Sequence, residues 1–256
     1  MTEFTISIAG IPIRIQALHE STRDFCADFL TDEPPEFIVI SSPEIIRREQ
    51  ERSDRQAETE GKTPVQYGDP YLEEIGIYRE IAEQLLDRNN LLFHGSAIAV
   101  DGEVYLFTAK SGAGKSTHAK RWREMLGDRA VMVNDDKPIL KITPEECFVC
   151  GTPWNGKHRL GSNVVLPLKA VCVLEQAEKN SIQRMDAWEL LPVLMQQSYH
   201  PLDPAKNGKV MELISILTEN VAFYKMQCNN MEDDAAKVSY EMMSKVNNGG
   251  NSGAED

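Results

Sequence analysis

The stretch YLFTAKSGAGKSTHAKRW, Tyr105 to Trp122, constrains this chain more than any other. An apolar strand-like run passes through a turn carrying Gly112 and Gly114 into a segment of helical character. Its end, Gly-Lys-Ser-Thr, is the phosphate-gripping half of a Walker A loop. A phosphate chain needs several backbone N–H groups pointed at it, and bulky side chains would block the approach. Gly112 and Gly114 let the backbone close in, Lys115 can bridge the β- and γ-phosphates, and the Ser116 hydroxyl is placed for Mg²⁺. The expected nucleotide contacts are therefore Ser111, Gly112, Ala113, Gly114, Lys115, Ser116 and Thr117, with ATP and Mg²⁺ as ligands. Ala109 stands where the consensus has glycine, at a position that mainly shapes the strand exit. The plain alternative is an ordinary glycine-rich strand-to-helix turn.

Downstream, RAVMVNDD is an apolar strand ending in Asp135 and Asp136. In P-loop proteins an acid at such a strand end orders the metal. Two acids offer more: one of Asp135 and Asp136 can attend to Mg²⁺ beside Ser116 while the other accepts a proton from an attacking hydroxyl. Adjacent strand residues point to opposite faces, so both can serve only if the strand has already ended. A simple turn, NDDKP, is the other reading. His94 precedes the hairpin that feeds the loop, and it is either structural or part of the phosphate site. In GTPWNGKHRLG, glycines and Pro153 suggest a mobile loop, with Lys157, His158 and Arg159 concentrating positive charge. Lys157 or Arg159 could neutralise charge developing on a transferred phosphate. Trp154 either stacks on a base or packs inside.

Around these motifs the chain is acidic, with a formal net charge of -13, which argues against nucleic-acid or anionic-membrane partners. No apolar run has membrane-span length, and the N-terminus alternates like a strand rather than a signal peptide, so a cytoplasmic setting is expected. The five cysteines fit a reducing setting. Cys147 and Cys150 form a CxxC without two further clustered ligands, and read better as part of a short strand.

Residues 1–90 read as a small α+β part. It comprises a hairpin about Ala9-Gly10, a short helix, the strand EFIVISS, a charged stretch after Pro43, and the amphipathic helix from Asp69-Pro70 to Asn89-Asn90. The charged stretch is expected as a solvated helix end or a mobile loop. Residues 91–246 read as the catalytic α/β domain, opened by a hairpin about Asp101-Gly102, and 247–256 as a flexible tail. Pro192 is expected to kink its helix.

HGSAIAVDGEVYLFTAKSGAGKST followed by VMVNDD resembles the catalytic domain of HPr kinase/phosphorylase and the wider phosphoenolpyruvate carboxykinase-like P-loop group. The resemblance covers roughly residues 91 to 175 and lies in the hairpin before the phosphate loop and in His94-Gly95 at its start. It implies a mixed α/β sheet with a P-loop flanked by helices. Lys115 would lie on phosphate, Ser116 on magnesium, Asp135 would be general base, and His94 would support Asp135. The Glu-x-Arg-Gly stretch of the bifunctional enzyme is missing, and the first ninety residues look unlike its N-terminal domain. GTPWNGKHRLGSN with PLKA looks like a shorter HPr-kinase-related branch, some members of which lie near peptide-modifying genes and phosphorylate peptide serines. The implied reaction is transfer of the γ-phosphate of ATP to a hydroxyl of a protein, peptide or small molecule. Rival readings are a nucleotide-binding regulator without turnover and a carboxykinase-like enzyme. Oligomers in the sister family imply a homo-oligomer here.

Overall fold

The computed structural model describes residues 1–110, 113–156, 159–201, 203–229 and 234–246. The chain divides into two units, Met1–Arg88 and Asn89–Asp256. The sequence-expected tail at 247–256 lies outside the described residues.

In the first unit, β1 (Thr2–Ile8) and β2 (Ile11–Ala17) pair antiparallel from Thr2↔Ala17 to Ile8↔Ile11. The connection is two residues long, and both Ala9 (φ +57°) and Gly10 (φ +77°) are left-handed. That geometry matches the twist of the flanking strands, so even alanine is held there. Ile6, Ile8, Ile13 and Ile15 alternate onto one face and are fully buried. After α1 (Glu20–Phe25), β3 (Phe37–Ile40) joins β2 in parallel.

The charged stretch is a solvated helix, α2 (Pro43–Thr59), rather than a loop. Ser42 caps it by accepting the Ile45 N–H at 3.4 Å, and Pro43 occupies the first turn, where its missing N–H costs nothing. Its inner face packs on α3 (Asp69–Leu86). Gly76 permits the close approach, because a Cβ there would stand 2.1 Å from Ile45 Cγ2. Buried Glu49 of α2 is paired with Arg52 at 2.9 Å and with Arg79 of α3 at 2.8 Å. Fully buried Glu73 accepts the Leu18 and His19 amides and the Thr22 hydroxyl at 2.6, 3.1 and 2.8 Å. Burial alone would raise its pKa, but the hydrogen bonds from Leu18, Thr22 and His19 outweigh it and hold the carboxyl low.

The second unit contains β4 (Asn90–Leu92), β5 (Gly95–Val100), β6 (Glu103–Thr108), α4 (Lys115–Leu126), β7 (Ala130–Asp136), β8 (Ile139–Ile142) and β9 (Cys147–Cys150). It continues with β10 (Val165–Gln176), β11 (Ser181–Arg184), α5 (Ala187–Gln197), α6 (Pro204–Asn220), β12 (Ala222–Cys228) and α7 (Ala235–Met243). Among the described residues these strands form one nine-stranded mixed sheet, ordered β4-β8-β9-β10-β6-β5-β7, with β12 also beside β10 and β11 beside β12. Twelve-residue β10 is the spine: its start pairs antiparallel with β9, and its centre lies parallel between β6 and β12. Such a strand is covered on both faces, which explains the unbroken apolar run from Ala170 to Leu174.

Helix α4 lies over β5, β6 and β7 and against α7. Its anchor is Trp122, fully buried, with the rings of Tyr105, Phe107 and Tyr240 at 5.0, 5.0 and 5.3 Å between centroids. His118, one turn earlier, is buried in the same cluster. Ser239 of α7 accepts from Trp122 Nε1 and bonds His118 Nε2, both at 2.9 Å, while donating to the Ala235 and Ala236 carbonyls. Burial, with help from Arg121, drives the His118 pKa down to about 4. Pro192 lies inside α5.

Candidate functional site

The site is built where β5, β6, β7 and α4 converge. Asp101 (φ +53°) and Gly102 (φ +87°) close the β5–β6 hairpin. At the other end of β5, His94-Gly95 has a steric reason: a Cβ on Gly95 would lie 2.9 Å from the Phe107 carbonyl oxygen and 2.8 Å from Leu106 Cδ1. Buried Thr108, at the end of β6, donates to the His94 carbonyl at 3.0 Å. The strand that leads into the loop is thereby tied to the histidine.

Ser111 and Gly112 lie outside the described residues, and so do Lys157 and His158. The loop resumes at Ala113, whose N–H bonds the Lys110 carbonyl at 3.1 Å. Gly114 takes φ +97° as the residue preceding α4, a conformation that favours glycine. Lys115 opens the twelve-residue helix; it is half-buried, with exposed Ser116 and Thr117 after it. The first N–H groups of such a helix have no intrahelical acceptor. Burial lowers the Lys115 pKa, opposed by the charge of Asp136 and, more weakly, Asp135, while Lys137 adds to the lowering. Lysine and both aspartates thus share one electrostatic neighbourhood.

The aspartates differ from the sequence expectation in two ways. First, the strand has not ended: β7 runs through Asp136, with Ser96↔Asp135 and Gly95↔Asp136 in register. Alternation sends the two side chains to opposite faces. Second, His94 does not support Asp135. Its Nε2 stands 3.3 Å from Asp136 Oδ1, and Lys137 Nζ lies 3.2 Å from the same oxygen. Burial would raise the Asp136 pKa, yet the His94 hydrogen bond and the Lys137 charge leave it below the usual aspartate value. Asp135 is 9% exposed and accepts from the Ser96 hydroxyl at 2.5 Å.

GTPWNGKHRLG also departs from its expectation as a mobile loop, over the residues described. Gly151, Thr152 and Trp154 are buried, so Trp154 packs inside rather than standing free for a base. Each glycine makes a close approach: a Cβ on Gly156 would meet the Asp135 carbonyl oxygen at 2.7 Å, and one on Gly151 the Ser162 carbonyl oxygen at 1.8 Å. Arg159 is exposed, at φ +48°.

Four residues of this site escaped the sequence reading: Ser96, Asn134, Lys137 and Gln197. Fully buried Asn134 joins the two halves. Its Oδ1 accepts the Asp136 and Lys137 amides at 2.8 and 2.7 Å, and its Nδ2 donates to the Thr152 carbonyl and hydroxyl at 3.2 and 3.0 Å. An asparagine before two aspartates was the available signal, since its amide can fix a following turn. Lys137 stands in the same NDDKP run as a cation beside the acids. Nothing local marked Ser96 or Gln197, which meet the site only through β-pairing and a 103-residue separation.

The residues fit a magnesium–phosphate ligand. A glycine-led helix start, two exposed hydroxyls, a half-buried lysine and a carboxylate held below its usual pKa supply N–H donors, oxygens and charge of both signs. Among the described residues there is no group of three His, Cys, Asp or Glu that could hold a metal ion. No described helix is long and apolar enough to cross a membrane.

Among solved structures, the HPr(Ser) kinase/phosphatase from Coxiella burnetii matches at 13% identity over 60% of this chain and 97% of that one. Its TM-score of 0.33 carries no argument about function. No curated protein matches the chain. The family described as SynChlorMet cassette protein ScmC matches residues 73–212, more than half of the sequence, and the chain belongs to that family.

Proposed function

We propose that this chain is an ATP-dependent phosphotransferase that moves the γ-phosphate to a hydroxyl, a serine of a protein or peptide being the acceptor class the sequence favours. What supports the proposal is that Lys115, at a glycine-led helix start, lies within electrostatic reach of Asp136, the acid that His94 contacts at 3.3 Å. In this reading the loop amides and Lys115 hold the phosphates. Ser116 and one carboxylate of the Asp135–Asp136 pair hold Mg²⁺, which neutralises phosphate oxygens when bound. The Asp136 carboxylate, with His94 holding it at 3.3 Å, would receive the acceptor's proton, in place of the Asp135 expected from the sequence. Lys137 supplies a nearby positive charge, and Lys157 and Arg159 remain candidates for the same task. Calorimetric titration with Mg-ATP tests the binding half: wild type and Asp136→Asn bind, whereas Lys115→Ala binds at least about tenfold more weakly. Equal affinities in all three would sink it.

A further inference from the structure

We infer that Gln197 is a positioning residue for His94, gripping its backbone and its ring together so that Nε2 stays on Asp136. The catalytic consequence rests on the phosphotransfer reading; the grip itself does not.

Helix α5 ends at Gln197, and the last carbonyls of a helix lack intrahelical partners. The Gln197 carbonyl is taken by the His94 N–H at 2.8 Å, and its side-chain Oε1 lies 2.9 Å from His94 Nδ1. One residue therefore fixes both the main chain and the imidazole of another 103 positions away. The grip is stiffened on either side. Tyr199 N–H donates to the Leu92 carbonyl at 2.8 Å, Phe93 and Ser198 form an antiparallel bridge, and Phe93 N–H donates to the Pro138 carbonyl at 3.0 Å. The segment Leu92–His94 is thus held between the end of α5 and the turn after β7.

An amide oxygen can only accept, so its bond to the ring requires a proton on Nδ1. Nε2, 3.3 Å from Asp136 Oδ1, must carry a proton as well to donate to that ionised carboxylate. Gln197 is 7% exposed, which keeps water from replacing its amide. Without that amide the imidazole regains freedom about χ2, a soft torsion, and Nε2 loses its aim. A loss of aim of this kind lowers turnover without weakening nucleotide binding.

The test compares Gln197→Leu, which keeps the bulk, with Gln197→Glu, which keeps an acceptor oxygen. Full-length protein with ¹⁵N-labelled histidine, free of nucleotide, is examined by long-range ¹H–¹⁵N NMR, with His94→Gln assigning the signal. A slowly exchanging proton on His94 Nδ1 is expected in wild type and Gln197→Glu and absent in Gln197→Leu. Its persistence in Gln197→Leu overturns the inference. ADP release from Mg-ATP, with water as acceptor, is the second readout. Gln197→Leu is expected to lose up to about 100-fold in kcat with KM for ATP nearly unchanged, and Gln197→Glu to recover most of it. Equal loss in both variants, or a loss confined to KM, overturns the catalytic role. Expected NMR behaviour in a wild type that neither releases ADP nor labels any lysate acceptor from γ-labelled ATP leaves the grip standing and removes the phosphotransfer reading.

Discussion

Ser96 donates its hydroxyl proton to Asp135 across the β5–β7 ladder, at 2.5 Å and directly in register. The pair explains how a carboxylate is tolerated at 9% exposure in the floor of the site. Removing the hydroxyl leaves the acid with one partner fewer in a place water reaches poorly. Ser96→Ala is expected to cost about 1–3 kcal/mol, read as a lower midpoint in urea unfolding. An unchanged midpoint would mean that Asp135 needs no such partner.

Gly156 tests whether the glycine loop is packed against Asp135 or only near it. A methyl group there would meet the Asp135 carbonyl oxygen at 2.7 Å, a backbone atom that cannot step aside. Gly156→Ala is expected to destabilise by about 1–3 kcal/mol. Gly208→Ala in α6, where a Cβ meets nothing within 4 Å, is expected to stabilise by about 0.5–1 kcal/mol. Thermal unfolding of the two variants should therefore move in opposite directions, and a shared direction would contradict the loop geometry.

His118 makes the stability of residues 89–256 depend on pH. Its folded pKa, about 4, lies below the ordinary 6.5, so the unfolded chain binds the proton more readily between these values. The folded state then loses stability as pH falls from 6.5 toward 4 and keeps it all above 6.5. The shift corresponds to an effect on the order of 3 kcal/mol. His118→Gln should flatten the wild-type slope between pH 6.5 and 5, above the carboxylate range, in urea titrations at stepped pH. Parallel slopes would show that this histidine titrates freely in the folded protein.

Strand β6 and helix α4, on either side of the loop, were legible in the sequence because their signals are local. Glycine freedom, a Gly-Lys-Ser-Thr run and a hairpin turn at Asp101-Gly102 each act within a few residues. Strand β8 was not legible, because four residues carry no usable period, and exposed β11 has no apolar face. The site divides the same way. His94 and the two aspartates declared themselves by residue type and position, but their pairing did not. Which acid a histidine reaches depends on register, and a shift of one residue exchanges the faces of Asp135 and Asp136. The three loop glycines misled for a related reason: glycine serves flexibility and close packing equally, and only Ser162, Asp135 and Asn155 against them decide which.

The central claim is transfer of the γ-phosphate by a site made of Lys115 and the His94–Asp136 pair. Its most direct test is incubation of purified protein with γ-labelled ATP and Mg²⁺ in a cell lysate, followed by identification of labelled acceptors. The account predicts an acceptor labelled on a hydroxyl by wild type, no label with Lys115→Ala, and at least about a 100-fold lower rate with Asp136→Asn despite retained nucleotide binding. Label transfer undiminished in Asp136→Asn, or tight Mg-ATP binding with neither transfer nor ADP release by wild type, would contradict it.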